Sequence, residues 1–226
     1  MTAPVRLLQP LEPGCVLYLP FWEGAGAVAA DISPYGNNGG ITGATWADGV
    51  LGKCLNFNGA SDYINCGKNA SLEFGTGDFT LEAWIKADTF PVIGNIFHKG
   101  GGSAEAGYQL RLVAPNNIQV VICDGTAIRP NIAVTGKVVD TWYHVVAVLS
   151  RASDTLKLYC NAGTPASVST TGLGSITNTA LNLILGSAAG TSSWYDGLID
   201  EAMIYNWALS ASEVFEHYYR SARYAG

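Results

Sequence analysis

From Cys15 onward, short apolar runs recur between clusters of Gly, Asn, Asp, Ser and Pro. Turn-forming residues at such close intervals predict many strands joined by turns, an all-β chain, rather than alternating strands and helices. The clearest strand is 79–86: Phe79, Leu81, Ala83 and Ile85 share one face, and Thr80, Glu82, Trp84 and Lys86 share the other. That alternation describes a strand with one buried and one amphipathic face. Further strands are predicted over 16–19, 54–58, 62–65, 92–98, 108–113, 118–123, 142–150, 155–159, 181–185 and 197–205. So many strands need two sheets or a closed barrel. The almost continuously apolar run 142–149 suits a central strand covered on both faces, by the second sheet on one side and loops on the other. Residues 161–178, rich in Gly, Ser and Thr, read as a hairpin arm of weakly specified register.

One helix is predicted. Ser210 and Glu213 have the spacing of a capping box, and the helix runs over 211–221 with Val214, Tyr218 and Phe215 as its apolar stripe, packed on a sheet edge or rim. A length of 226 residues fits a single sandwich domain, with a core over about 15–209. The 27 glycines have no fixed period and only 13% of residues are charged, which excludes collagen-like repeats and wholesale disorder. A net charge of −6 without a Lys/Arg cluster argues against nucleic acid. No apolar run approaches the roughly 18 residues a bilayer span needs, and residues 1–20 lack the features of a signal peptide. The expectation is a soluble product without membrane insertion. The five cysteines, Cys15, Cys54, Cys66, Cys123 and Cys160, are odd in number and widely spaced, which predicts reduced, buried thiols. Cys54 and Cys66 meet only if their strands pair.

Several segments together resemble the laminin-G-like jelly-roll family, also described as concanavalin A-like lectin/glucanase folds. They are Leu17–Pro20 with the following Phe21-Trp22-Glu23-Gly24, the loop Asp31-Ile32-Ser33-Pro34-Tyr35-Gly36-Asn37-Asn38-Gly39, and Gly52-Lys53-Cys54-Leu55-Asn56-Phe57. Gly77-Asp78-Phe79-Thr80-Leu81-Glu82-Ala83-Trp84, Trp142-Tyr143-His144-Val145-Val146 and Gly197-Leu198-Ile199-Asp200-Glu201 follow in order. In the loop, Pro34-Tyr35 replaces the family's usual shorter form. The resemblance implies a sandwich of two antiparallel sheets, often with bound calcium, used to bind glycans or proteins and only sometimes for catalysis.

The Asp31–Gly39 loop offers a carboxylate, two amides and turn carbonyls, the hard oxygen ligands calcium takes. The resemblance makes Asp200 the partner carboxylate for Asp31 in a structural calcium site. The alternative is that both merely satisfy turn backbone donors. For a sugar ligand, Tyr35, Trp194 and Tyr195 are loop aromatics able to stack on pyranose faces, with Asn37 and Asn38 as planar polar partners. Core or hairpin packing is the favoured role for each of the three, because large aromatics dominate sandwich cores. Catalysis finds little support. The stretch 198–203 lacks the Glu-x-Asp-x-x-Glu spacing of the related glucanases, and His98, His144 and His217 lie far apart in sequence. The expected function is therefore a non-enzymatic recognition module for glycan or surface polysaccharide, located extracellularly or on a virion. A virion structural protein that assembles with other surface proteins is the alternative, and a polysaccharide-active enzyme a distant third.

Overall fold

The computed structural model describes residues 12–102, 104–126 and 130–223. Among these the strands are β1 (Cys15–Leu19), β2 (Val28–Ala29), β3 (Gly39–Thr42), β4 (Thr45–Gly49), β5 (Gly52–Asn58), β6 (Tyr63–Asn65), β7 (Phe79–Ala87) and β8 (Ile93–Gly100). They continue with β9 (Gly107–Val113), β10 (Asn117–Cys123), β11 (Asn131–Val134), β12 (Trp142–Ser150), β13 (Thr155–Cys160), β14 (Ala166–Ser169), β15 (Ile184–Leu185) and β16 (Asp196–Tyr205), and one helix follows, α1 (Ala211–Ala222). The first sheet has the order β14-β13-β12-β7-β16-β5-β4, with β1 beside the later half of β16. The second has the order β11-β10-β9-β8-β15-β6-β3-β2. All of these pairings are antiparallel. The fold is the expected jelly-roll sandwich.

Its core is the set of inward side chains that strand alternation selects. Phe79, Leu81, Ala83 and Ile85 of β7 and Val145, Ala147 and Leu149 of β12 face Phe97, Leu110, Leu112, Ile118, Val120 and Ile122 of the second sheet. Each fully buried side chain of the larger kinds contributes about 1.5–3 kcal/mol. The short or Gly- and polar-rich strands β2, β3, β4 and β11 are absent from the sequence reading, because their ladders rest on neighbours and not on a period of their own. The 161–178 arm does carry β14, paired with β13. The expected strand 181–185 shortens to β15.

The helix departs from its expected placement. Its capping box is present, with Ser210 Oγ accepting from the Glu213 amide and the Glu213 carboxylate accepting from the Ser210 amide. Yet α1 lies across the outer face of the first sheet, not on its edge. Tyr218 stacks on Trp84 with centroids 5.8 Å apart, and Val214 joins Val146, Val148 and Tyr205 in a second apolar cluster. The outward residues Val146 and Val148 of β12 and Tyr205 of β16 are thus buried because a helix covers them, and it is this helix, not loops, that closes the other face of 142–149. Phe215 is 54% exposed and stacks on Tyr219 on the outward side, so the stripe is the i, i+4 pair Val214 and Tyr218.

The cysteines in this structure are all free thiols. Cys54 lies in β5 of the first sheet, whereas Cys66 follows β6 of the second, so the two do not pair. Burial pushes the Cys15 and Cys54 thiols up to about 12, which leaves them unreactive.

Candidate functional site on the outer face of the second sheet

A sandwich has two outer faces and two rims, and α1 closes one face. Beneath it Glu82, on β7, is 1% exposed and holds two imidazoles. His144 Nε2 lies 2.8 Å from Glu82 Oε1, and His217 Nδ1 lies 2.9 Å from Glu82 Oε2. His217 Nε2 also reaches Glu12 Oε1 at 3.2 Å. With a carboxylate on each ring nitrogen, His217 is held as the imidazolium. Burial works against that cation, but the Glu82 charge and the hydrogen bonds from Glu82 and Glu12 outweigh it and raise His217 to about 9. Burial likewise works against the Glu82 carboxylate, and His217 with His144 still holds it at about 2. Packed under the helix, this cluster is a clamp. It joins histidines that are distant in sequence, which the residue spacing gave no means of seeing.

The other outer face is built by β6, β15, β8, β9, β10 and β11, and no helix among the described residues crosses it. Because Ile64, Phe97, Leu110 and Val120 point into the core, their neighbours point outward. Strand register aligns these in two rows. One runs Asn65, Ile184, His98, Gln109, Val121, Asn131 and the other Asn95, Arg111, Gln119, Ala133. None of the outward positions of β8–β11 is Asp or Glu. Arg111 donates from Nε and Nη2 to Gln119 Oε1 at 2.9 and 2.6 Å and from Nη1 to Gln109 Oε1 at 2.8 Å. Burial, with the Arg111 charge assisting, pushes His98 down to about 4, so its imidazole is neutral at pH 7. Asn95, His98, Gln109, Val121 and Ile184 are buried, with His98 Nδ1 and Asn95 Oδ1 lacking a hydrogen-bond partner, so the face presents chiefly the partly exposed Arg111, Gln119 and Ala133 to solvent.

An aromatic ledge borders these rows. Tyr63, next to core residue Ile64, lies on this outer face, and Trp194 tilts against it with centroids 6.4 Å apart. Gly94 makes the approach possible: a Cβ there would sit 2.9 Å from the Trp194 carbonyl oxygen and 2.7 Å from Pro91 Cγ. The Asn95 amide donates to the Ser193 carbonyl at 3.0 Å, tying the ledge to β8. Polar residues at alternate positions in the apolar strands β9 and β10 were the legible signal for this face.

Of the residues expected to bind ligand, Trp194 alone joins this surface. Tyr195 is fully buried, edge-on to Phe57 and bonded to the Leu198 carbonyl. It belongs to the core, and its expectation as a stacking platform is corrected. Asn37 is 1% exposed and bonds to the Val16 carbonyl, Ser71 and Asn69, so it braces its loop. Asn38 accepts from the Asp31 amide, and Tyr35 is 46% exposed. These three stand beside β1 and the later half of β16, whereas Trp194 precedes the start of β16. The five residues are thus divided between opposite ends of the sandwich.

The two carboxylates expected to share calcium hold separate backbone segments. Asp31 Oδ1 accepts from the Tyr18 and Ser33 amides at 2.8 and 2.9 Å, and Oδ2 accepts from Ser33 Oγ and the Asn37 amide, both at 2.7 Å. Asp200 Oδ2 accepts from the Val50 and Leu51 amides at 2.8 and 3.2 Å, and Oδ1 from the Glu201 amide at 2.8 Å. Asp200 thus pins the β4–β5 turn at the irregularity in the β16 ladder, while Asp31 closes its own loop. Oxygens ringed by N–H and O–H hydrogens present positive charge to an incoming cation, so this arrangement does not fit a shared calcium. Among the described residues no group of three or more His, Cys, Asp or Glu converges as a metal site. The expected melting temperature is the same in millimolar calcium as in chelator. A rise in calcium that Asp31→Asn removes would restore the site.

A model of the concanavalin A-like lectin/glucanases superfamily matches residues 58–215. The chain belongs to this superfamily. Solved structures that resemble the chain share its fold at low sequence identity. The binding domain of Paraclostridial Mosquitocidal Protein 1 superposes with a TM-score of 0.76 at 20% identity, covering 91% of this chain and 52% of that one. The botulinum neurotoxin serotype G binding domain gives 0.74 at 15% identity, covering 91% and 51%. The serotype D ligand binding domain, in complex with N-acetylneuraminic acid, gives 0.72 at 15%, covering 92% and 51%. The chain therefore spans about half the length of these solved chains. No curated protein matches its sequence. No helix among the described residues is long and apolar enough to cross a membrane.

Proposed function

We propose that this superfamily member is a non-enzymatic glycan-binding module whose site is the outer face of the second sheet. The observation that carries the proposal is the Trp194–Tyr63 ledge beside the partly exposed Arg111 and Gln119, on a sheet face whose strands β8–β11 carry no carboxylate. A pyranose presents an apolar C–H face to an aromatic ring and hydroxyls to planar amides, and this surface supplies both in adjacent rows. The neighbours named as binding domains, one of them holding a sugar acid, support a binding role for the fold. Glycoside hydrolysis needs a pair of carboxyl groups flanking the scissile bond, and the outward positions of β8–β11 provide none.

The test is titration calorimetry or a glycan array on the wild type, Trp194→Ala and Tyr35→Ala. Loss of one stacking contact lowers affinity about tenfold in Trp194→Ala, and Tyr35→Ala, at the opposite end, binds as the wild type does. Equal binding by the wild type and Trp194→Ala, or loss in Tyr35→Ala alone, would move the site away from this face.

A further inference from the structure

We infer that this face selects uncharged sugars, with Arg111 acting as a positioning residue and not as an anchor for an acidic group. The inference rests on the glycan-binding reading and narrows its ligand class. An arginine that captures a carboxylate does so through two parallel N–H groups on one edge of its fork. In this chain the Nε and Nη2 edge is already closed on a single neutral acceptor, Gln119 Oε1, at 2.9 and 2.6 Å. Nη1 closes on a second, Gln109 Oε1, at 2.8 Å.

The guanidinium thereby fixes both glutamines by their oxygens and directs both NH2 groups away from itself. Gln109 Nε2 is taken by the Gly100 carbonyl at 2.8 Å, while Gln119 Nε2 has only Asn131 Oδ1 at 3.5 Å. That second distance is at the limit of a hydrogen bond, so the Gln119 amide is held in place with donor capacity to spare. The hydrogen-bonding group the face then offers a ligand is a neutral one, the partly exposed Gln119 NH2, because Asn95 Oδ1 and His98 Nδ1 are buried. A sugar hydroxyl accepts from such a donor.

A second observation has the same sense. At the ledge end of the sandwich, Asp196 follows Trp194 by two residues and its carbonyl accepts from the Asp88 amide, while the Asp140 amide donates to the Ala87 carbonyl. These bonds bring the three residues to one rim, where the charges of Asp196 and Asp140 act on the Asp88 carboxyl, and an acidic sugar stacked on Trp194 would meet their field.

The experiment pairs oligosaccharides that differ in the charge of their carboxyl groups, the methyl ester of 3′-sialyllactose against 3′-sialyllactose itself and methyl-esterified against free oligogalacturonate. Binding is measured at 50 and 500 mM NaCl with wild type, Arg111→Lys and Arg111→Gln, each checked by thermal melt. The expected result is that neutral members bind at least tenfold more tightly than their acidic partners and change less than twofold with salt. Arg111→Lys, which keeps the charge but cannot grip both glutamines, loses about tenfold for neutral sugars while still folded. Preference for the acidic members, weakened by salt and abolished in Arg111→Gln, would overturn the inference and leave glycan binding intact. So would unchanged neutral binding in a folded Arg111→Lys. Absence of binding to every sugar on a broad array would instead overturn the glycan reading itself.

Discussion

Replacing Lys99 with alanine is expected to cost about 3–5 kcal/mol, because it removes one partner of a buried ion pair. Lys99, on β8, is 1% exposed, and its ammonium lies 2.8 Å from Glu73 Oε1, 3.0 Å from the Asn178 carbonyl and 2.6 Å from the Leu181 carbonyl. The group thus ties the segment before β7 and the segment before β15 to the second sheet. Its loss leaves a carboxylate and two carbonyls without their donor inside the protein. For a chain of this size the melting temperature should fall by about 6–20 °C. Lys53→Ala, at an exposed pair with Asp48, should change stability by less than about 1 kcal/mol. Adding Glu73→Gln to Lys99→Met should make the double variant more stable than the sum of the single effects, since the amide removes the stranded charge and still accepts from the Asn178 amide. Additive losses in urea melts would show that the two side chains do not act as a pair.

The second large effect is expected from pH, through the clamp beneath α1. His217 is raised from 6.5 to about 9 in the folded protein. Its contribution is therefore fully present below pH 6.5 and is lost as pH rises through about 9. Glu82 is lowered from 4.5 to about 2, so its contribution is present above pH 4.5 and is lost as pH falls through about 2. The two shifts describe one interaction from either side, and stability from this source peaks between about pH 4.5 and 6.5. Between pH 6.5 and 9 the loss is about 3 kcal/mol. Above 9 the unfolded chain also ionises Cys15 and Cys54, whose folded thiols stay protonated, which steepens the decline. Urea melts at pH 6 and pH 9 should show the difference in wild type. It should be absent from His217→Ala, which is less stable at pH 6 and similar at pH 9. A variant that keeps the full pH 6-to-9 difference would place the titrating group elsewhere.

The two predictions divide according to what is readable in a linear chain. Strand alternation at 79–86, the continuous apolar run at 142–149 and the box at Ser210 and Glu213 are local patterns. Each was legible because side-chain direction follows from backbone geometry within a few residues. The all-β class and the single helix follow from such patterns, and the residues that carry the family resemblance lie among them. Nothing local states what covers an outward face. Thr80, Glu82 and Trp84 read as an amphipathic side, and only the return of α1 across β7 and β12 makes them buried. His144 and His217 likewise meet on Glu82 only through the fold, across sequence separations of 62 and 135.

The site divides in the same way. Trp194 was identifiable as a loop aromatic from its Ser and Gly neighbours, but so was Tyr195, and the strand entry that sends one ring outward and its neighbour into the core is set by contact with Phe57 and Tyr63. Asp31 and Asp200 carried the right chemistry for a cation, and their role was decided by backbone donors from Tyr18, Asn37, Val50 and Leu51. By itself the sequence determined which faces of each strand are apolar, because that depends on alternation alone. Only the tertiary structure decided which outer face the helix covers, because that depends on where distant segments pack, and no short-range period encodes it.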